Sequence, residues 1–463
     1  MINATEVIDN FKAGRFEIDC KRMVILQNKA DGSRFEGQGY IRQNAEGILI
    51  FKMYVEKWQI ADRMKFLEQV FENRSGKIYE DDSYYDLVVT DRKGTEWSAG
   101  RIIASIKTGL SDDPPLVSGN LGSLRAEELV SQAYSSIRLH FFNRYEIPLN
   151  KMGENEVHGE RWIVRDRDEF DGQEGRFSVR RYDDDTVIEV QSDSKFGSDF
   201  DLRIQEALQF ITAKPAFWRA RVQADNERAV IELASPTRRP PRTQFGPPID
   251  PHSTGFYECG WKLFSCFLGY VQSKTNGTYW NPMAYHLYNA CEATANSMDA
   301  WAVGYSVAVE ALASLLTLGE REEKQTQNRA IQTILKECIR GNAELAKHQE
   351  RLGSLIGMLG QESVKDKLYN LAEQGYVEKQ YINSWSELRN RCVHPKIKDL
   401  KKADSAATQS LLNLLHEVET LMRQIVYYLI EYNGPFTDYG APGFPLKAYP
   451  LIATESSGSG IAV

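Results

Sequence analysis

The residues best equipped for chemistry in this chain are Arg389, Asn390 and His394, which form R-N-x-x-x-H within the stretch SELRNRCVHPKIKDLKK, residues 386 to 402. An imidazole exchanges protons near pH 7. A guanidinium beside it offers a rigid fork for phosphate oxygens. Together they meet the needs of metal-independent RNA cleavage, in which a base draws the 2'-hydroxyl proton and a cation stabilises charge on the phosphorane. The stretch carries six basic residues (Arg389, Arg391, Lys396, Lys398, Lys401, Lys402) against Glu387 and Asp399, a local charge of +4 in a chain of formal charge -8. Arg391, Lys396 and Lys398 are therefore candidate substrate-binding cations.

A helix must position these groups. Tyr381, Trp385, Leu388 and Cys392 recur at intervals of four, three and four, which marks one buried helical face. Pro395 disfavours helical backbone at the residue before it, so His394 is expected at the last helical position or just beyond it. Asn390 and His394 share a face, with Arg389 flanking it. The negative end of the helix dipole favours imidazolium at His394, while desolvation and the nearby arginines oppose it. Upstream, Glu310 lies inside the apolar run VAVEALASLL, and a glutamate in such a helix seeks a partner.

This arrangement resembles the HEPN superfamily, whose ribonucleases carry an R-x(4–6)-H motif, often R-N-x-x-x-H, near the end of a bundle helix. The resemblance implies Arg389 as the phosphate-binding and transition-state residue, Asn390 as a polar orienting residue and His394 as the catalytic residue. It further implies Glu310 as the acidic partner of Arg389, the other reading being a solvent-facing glutamate. The order of a strand-rich region followed by a HEPN-like bundle resembles ApeA-type anti-phage defence proteins. That likeness implies an endoribonuclease leaving 2',3'-cyclic phosphate ends, needing no metal or other cofactor and acting by abortive infection. It also implies a homodimer through the helical domain, an unknown phage-derived trigger, and RNA as substrate, with tRNA among the candidates. The rival readings are a HEPN-type module that binds RNA or protein without cutting, and the toxin of a toxin–antitoxin pair.

Composition sets outer bounds. At 463 residues and 52.7 kDa the chain has room for two or three domains. Its acidic total gives no general support for nucleic-acid binding, so any RNA site must be local. The six cysteines (Cys20, Cys259, Cys266, Cys291, Cys338, Cys392) show neither C-x-x-C pairing nor histidines at metal spacing. They read as reduced thiols of a cytoplasmic protein. The first residues lack a charged segment followed by an apolar run, so no signal peptide is expected. No stretch approaches 18 apolar residues, so no membrane span is expected either.

Taken in order, the chain predicts an α+β protein: a strand-rich domain over 1–235, a proline-rich linker over 236–255, an all-helical HEPN-like domain over 256–433 and an extended or disordered tail over 434–463. Phe16, Ile18 and Cys20 alternate with charged residues, followed by the apolar run Met23 to Leu26 and the segments FEGQGYI, ILIFKMYV, YYDLVVT, WIVRD, RFSVRRY and TVIEVQ. Arg125 to Phe142 reads as a helix with Leu129, Ala133, Ile137 and His140 on one face, and Asp201 to Ile211 as a shorter one. A sandwich and a barrel both remain open. The acidic groups Glu80–Asp82 and Asp183–Asp185 read as solvated loops, not as metal ligands. After the prolines the apolar period lengthens to about 3.6, and the closing helix carries Leu411, Leu415, Val418, Leu421 and Ile425 as a stripe before Asn433–Gly434–Pro435.

Overall fold

Alternating apolar residues need a sheet to bury one face, and the first half of the chain supplies it. The computed structural model describes residues 3–59, 61, 64–65, 76, 78–107, 114–130, 132–157, 160–236, 243–275, 279–317, 322–358, 363–393 and 405–451. It divides into two compact units, residues 1–205 with 216–240, and residues 206–215 with 241–463.

The first unit opens with α1 (Ala4–Lys12) and continues through β1 (Glu17–Gln27), β2 (Arg34–Gln43), β3 (Leu49–Lys57), β4 (Tyr85–Asp91), β5 (Glu96–Ile102), β6 (Ser105–Lys107), β7 (Leu116–Leu121) and β8 (Ser123–Leu129). Then come β9 (Ser135–Phe141), β10 (Lys151–Val157), β11 (Glu160–Gly172), β12 (Gly175–Arg181), β13 (Thr186–Ser192), β14 (Ala220–Ala224) and β15 (Arg228–Ala234). All fifteen strands join one sheet in the order β10-β11-β12-β13-β9-β14-β15-β8-β5-β4-β1-β2-β3-β7-β6. The strands form one continuous hydrogen-bonded ladder, narrowest where β5 and β8 meet only at Trp97–Ala126 and Ser98–Arg125. Two expected apolar runs, around Ile18 and around Ile25, are one strand whose register shifts between Cys20 and Met23. Such a bulge turns both runs toward the same core. Phe11 of α1 is fully buried and meets Phe16 edge to face at 5.9 Å, within a core that includes Phe35, Phe51 and Trp97.

The described residues among 125–142 are not helical. They form the end of β8 and all of β9, with Ile137, Leu139 and Phe141 buried and Arg138 between them exposed. Leu129, assigned to the helix's apolar face, is 87% exposed. The four-residue spacing was incidental, and the period-two pattern governs because both strands have partners to complete: β8 pairs β15, and β9 pairs β13 and β14. The 183–185 acidic group divides as well. Asp184 is exposed and pairs Lys12 at 2.7 Å, whereas Asp185 is buried, 3.6 Å from the His140 imidazole.

Helix α2 (Phe200–Thr212) follows, its residues from Glu206 onward belonging to the second unit. That unit contains α3 (Thr254–Ser273), α4 (Pro282–Ala293), α5 (Met298–Ser314), α6 (Glu322–Gly341), α7 (Ala343–Ala346), α8 (Gln349–Met358), α9 (Val364–Glu373), α10 (Lys379–Val393) and α11 (Ser405–Leu429). Between residues 256 and 433 no strand occurs among the described residues. The protein is α+β, with a strand-rich first unit and a helical second one.

Two segments are more ordered than their composition suggested. The proline-rich stretch is packed from 243 onward, with Phe245 and Ile249 buried, so that the expected 236–255 linker is narrower in the structure; residues 237–242, including Arg238, Arg239 and Arg242, lie outside the described residues. The segment expected as a loose tail instead forms a hairpin of β16 (Gly434–Thr437) and β17 (Leu446–Tyr449), with Phe436 and Tyr449 buried. Residues 452–463 lie outside the described residues.

Arg423 explains both. Its guanidinium is wholly buried, pairs with Glu419 at 2.5 Å and donates to the carbonyls of Gly246 and Pro247. It lies between the rings of Phe245 and Tyr439, at 4.9 and 4.8 Å from their centroids. Burial works against its charge, but Glu419 and the surrounding phenols outweigh that and hold its pKa above the ordinary arginine value. Glu419 also accepts from Tyr305 of α5 at 2.8 Å and from the Gly246 amide at 3.1 Å. Glu419→Ala should therefore destabilise the helical unit by about 3–5 kcal/mol, because it strands a buried cation. Hydrogen exchange across Ser405–Leu429 reads this out, and adding Arg423→Met should recover part of the loss.

Candidate functional site

The motif helix α10 buries Tyr381, Ile382, Trp385 and Leu388, with Cys392 half-buried on the same face. Trp385 donates its indole N–H to the Ser306 carbonyl at 3.4 Å. One end further on, burial and then the Asp299 charge raise the Cys392 thiol pKa. Residue 385 thus lies by 306 and residue 392 by 299, so α10 and α5 run antiparallel. Side chains on a helix lean toward its N-terminus. On antiparallel neighbours, Arg389 and Glu310 therefore lean toward each other across several residues of axial offset. They form an ion pair through Arg389 Nε and Glu310 Oε1. Glu310 is partly exposed, and its carboxylate is paired with the motif arginine.

The pair is 42% and 39% exposed, so it contributes at most about 1 kcal/mol to stability. Its effect is on orientation. Glu310 engages the guanidinium at Nε, and the four N–H donors of the two terminal nitrogens lie outside that contact. Asn390 is exposed and Arg391 half-exposed beside it. His394, Lys396 and Lys398 lie outside the described residues, as do Lys401 and Lys402. Val393, the residue before His394, is the last of α10.

The other end of α10 is held by groups that sequence reasoning did not single out. The Tyr381 hydroxyl donates to both carboxylate oxygens of Asp438, at 2.8 and 2.9 Å, with Asp438 fully buried in the hairpin. Burial, reinforced by Asp438, pushes the phenol's pKa well up. Lys447 bridges Asp438 at 2.6 Å and Glu378 at 2.7 Å. Ser384 donates to Glu417 of α11, and the Glu378 amide donates to Gln424 at 3.0 Å. No local pattern could have announced these, since Tyr381 and Asp438 are 57 residues apart.

Two further histidines of the helical unit are partly buried. His416 packs against Trp301 and Phe444, and burial lowers its pKa, as it does for His286. Among the described residues no group of three or more His, Cys, Asp or Glu could hold a metal ion. No described helix is long and apolar enough to cross a membrane. A cleft of about 780 Å³ elsewhere in the unit is walled by tyrosines, among them Tyr270, Tyr376, Tyr428 and Tyr432. It shares no residue with the Arg389 site.

Comparisons with known protein families, with curated proteins and with solved structures found no match. The class to which the site can be assigned therefore rests on its own features: a half-exposed arginine, paired with a carboxylate from the neighbouring helix, five residues before a histidine in sequence.

The two ends of α10 should respond differently to mutation. Asp438→Ala leaves the buried Tyr381 hydroxyl without its acceptor and should destabilise the unit by about 1–3 kcal/mol. Glu310→Ala should cost about 1 kcal/mol or less. Amide exchange across Lys379–Val393 compares them directly, and equal losses would overturn this account of the helix's anchorage.

Proposed function

We propose that the chain is a metal-independent endoribonuclease of the HEPN kind, with Arg389 and His394 as its working pair. The observation that carries this reading is the ion pair between Arg389 and Glu310, which orients the motif arginine from a second helix and leaves it open to solvent. His394 takes the proton of a ribose 2'-hydroxyl. The 2'-oxygen attacks the adjacent phosphorus, and Arg389 stabilises the negative charge gathered on the phosphorane oxygens. The bond to the 5'-oxygen breaks, that oxygen takes up a proton, and the products carry a 2',3'-cyclic phosphate and a 5'-hydroxyl. Asn390 orients the scissile group, and Arg391, Lys396 and Lys398 hold flanking phosphates.

On this reading two copies of the helical unit bring their motifs to one cleft. The protein works in the bacterial cytoplasm against phage, with the strand-rich unit restraining cleavage until a phage-derived trigger arrives. A HEPN-type module that binds RNA or protein without cutting gives RNA affinity with no cleaved ends. A toxin of a toxin–antitoxin pair is neutralised by a partner, not released by infection.

Cleavage of labelled RNA, with analysis of the ends, tests the assignment. His394→Ala should lower the rate by about 10² or more. Arg389→Ala should be comparably damaging, and Arg389→Lys should rescue poorly because an ammonium lacks the planar fork. Glu310→Gln should lower kcat at nearly unchanged stability, and EDTA should have no effect. A His394→Ala protein that cuts at the wild-type rate, or loss of cleavage in EDTA, would sink the proposal.

A further inference from the structure

An unassigned concentration of positive charge lies away from the motif, between α6 and α8. These helices pack through Ile339 and Ile356, with the Gln332 side-chain amide donating to the Ile356 carbonyl at 3.1 Å. Beside that contact a hollow of about 860 Å³ is lined by Lys336 and Arg340 of α6, Lys347 and His348 of the turn, and Arg351 of α8. Glu350 is the one carboxylate on its wall. The volume falls within the range of ligand-binding concavities.

A solvated helix face explains scattered cations, each near an acidic neighbour. Here Lys336 and Arg340 stand one turn apart on one helix and face Arg351 on the other, in a chain with 64 acidic residues against 56 basic ones. Lys347 is paired with Glu344 at 2.7 Å, but among the described residues no ion pair engages Lys336, Arg340 or Arg351. The amino end of α8 opens on the same hollow and adds its dipole. Two guanidinium forks, a lysine and a helix amino end suit phosphodiester oxygens better than a carboxylate or an apolar ligand.

We propose that this hollow is a second grip on the RNA strand, binding backbone phosphates without regard to base, and so extending the substrate beyond the Arg389 site. The proposal rests on RNA being the substrate. It gives a sequence-independent contribution to affinity and assigns it to a hairpin inserted between α5 and α9.

The test uses the full-length His394→Ala protein and a fluorescein-labelled single-stranded RNA of about 20 nucleotides, with anisotropy titrations over a series of KCl concentrations. Removing two phosphate contacts by Arg340→Ala with Arg351→Ala should weaken binding and flatten the slope of log affinity against log salt by about 1.4, at roughly 0.7 per contact. The Arg340→Lys with Arg351→Lys protein should keep most of that slope. Lys29→Ala with Lys93→Ala, which removes two exposed cations from the strand-rich unit, should leave the slope unchanged. In the otherwise wild-type chain the arginine pair should raise KM for the long RNA at constant kcat. Unchanged affinity and slope in the alanine pair overturn the grip, whether or not the wild type cuts. A loss of affinity in a protein that never cuts upholds the grip and removes the ribonuclease reading instead.

Discussion

The helical unit depends on one buried charge. Arg423 has no access to water, and moving a guanidinium out of water costs several kcal/mol unless partners replace its hydration. Glu419, two backbone carbonyls and two aromatic faces replace most of it, only Nε lacking a hydrogen-bond partner, and they come from distant parts of the chain: the stretch around Gly246, helix α11 and the loop carrying Tyr439. Through Glu419 and Tyr305 the same cluster reaches α5. An apolar residue at 423 could fill the space, but it could not require four segments to converge on one point. That requirement orders the proline-rich stretch from Phe245 onward and helps seat the hairpin that follows α11.

The order thus created extends along α10 and diminishes toward the motif. At its amino end, Tyr381 is tied to a fully buried aspartate and Glu378 to Lys447. At its middle, Ser384 and Trp385 bond to α11 and α5. At Arg389 the polar attachment among the described residues is a half-exposed ion pair. Polar anchorage is concentrated where water is excluded, and the motif arginine keeps its access to solvent. Arg389 is 42% exposed, whereas Arg423 is wholly buried against Glu419 and two backbone carbonyls.

The charge distribution follows the same division. The chain is acidic overall, yet the sequence around Arg389 and the hollow around Arg340 both concentrate cations. On the proposed function, net repulsion over the rest of the surface would confine RNA binding to those two places.

The sequence by itself determined the class of the fold, because side-chain period is a local property. Alternation around Ile18 and the stripe from Leu411 to Ile425 each specify an element without reference to anything distant. It also presented the R-N-x-x-x-H spacing and raised the question of Glu310, since an ionisable group in an apolar helix implies a partner. Where two periods coexisted, as at residues 125–142, local pattern could not choose, and the sheet's need for β8 beside β15 and for β9 between β13 and β14 decided. The pairing of Glu310 with Arg389 required the antiparallel packing of α5 and α10. The anchoring of Tyr381 by Asp438 needed a hairpin from a segment whose prolines and glycines suggested a loose tail. Those contacts join residues scores of positions apart, and a hydrogen bond or ion pair depends on distance in space. Only the tertiary structure supplies that distance.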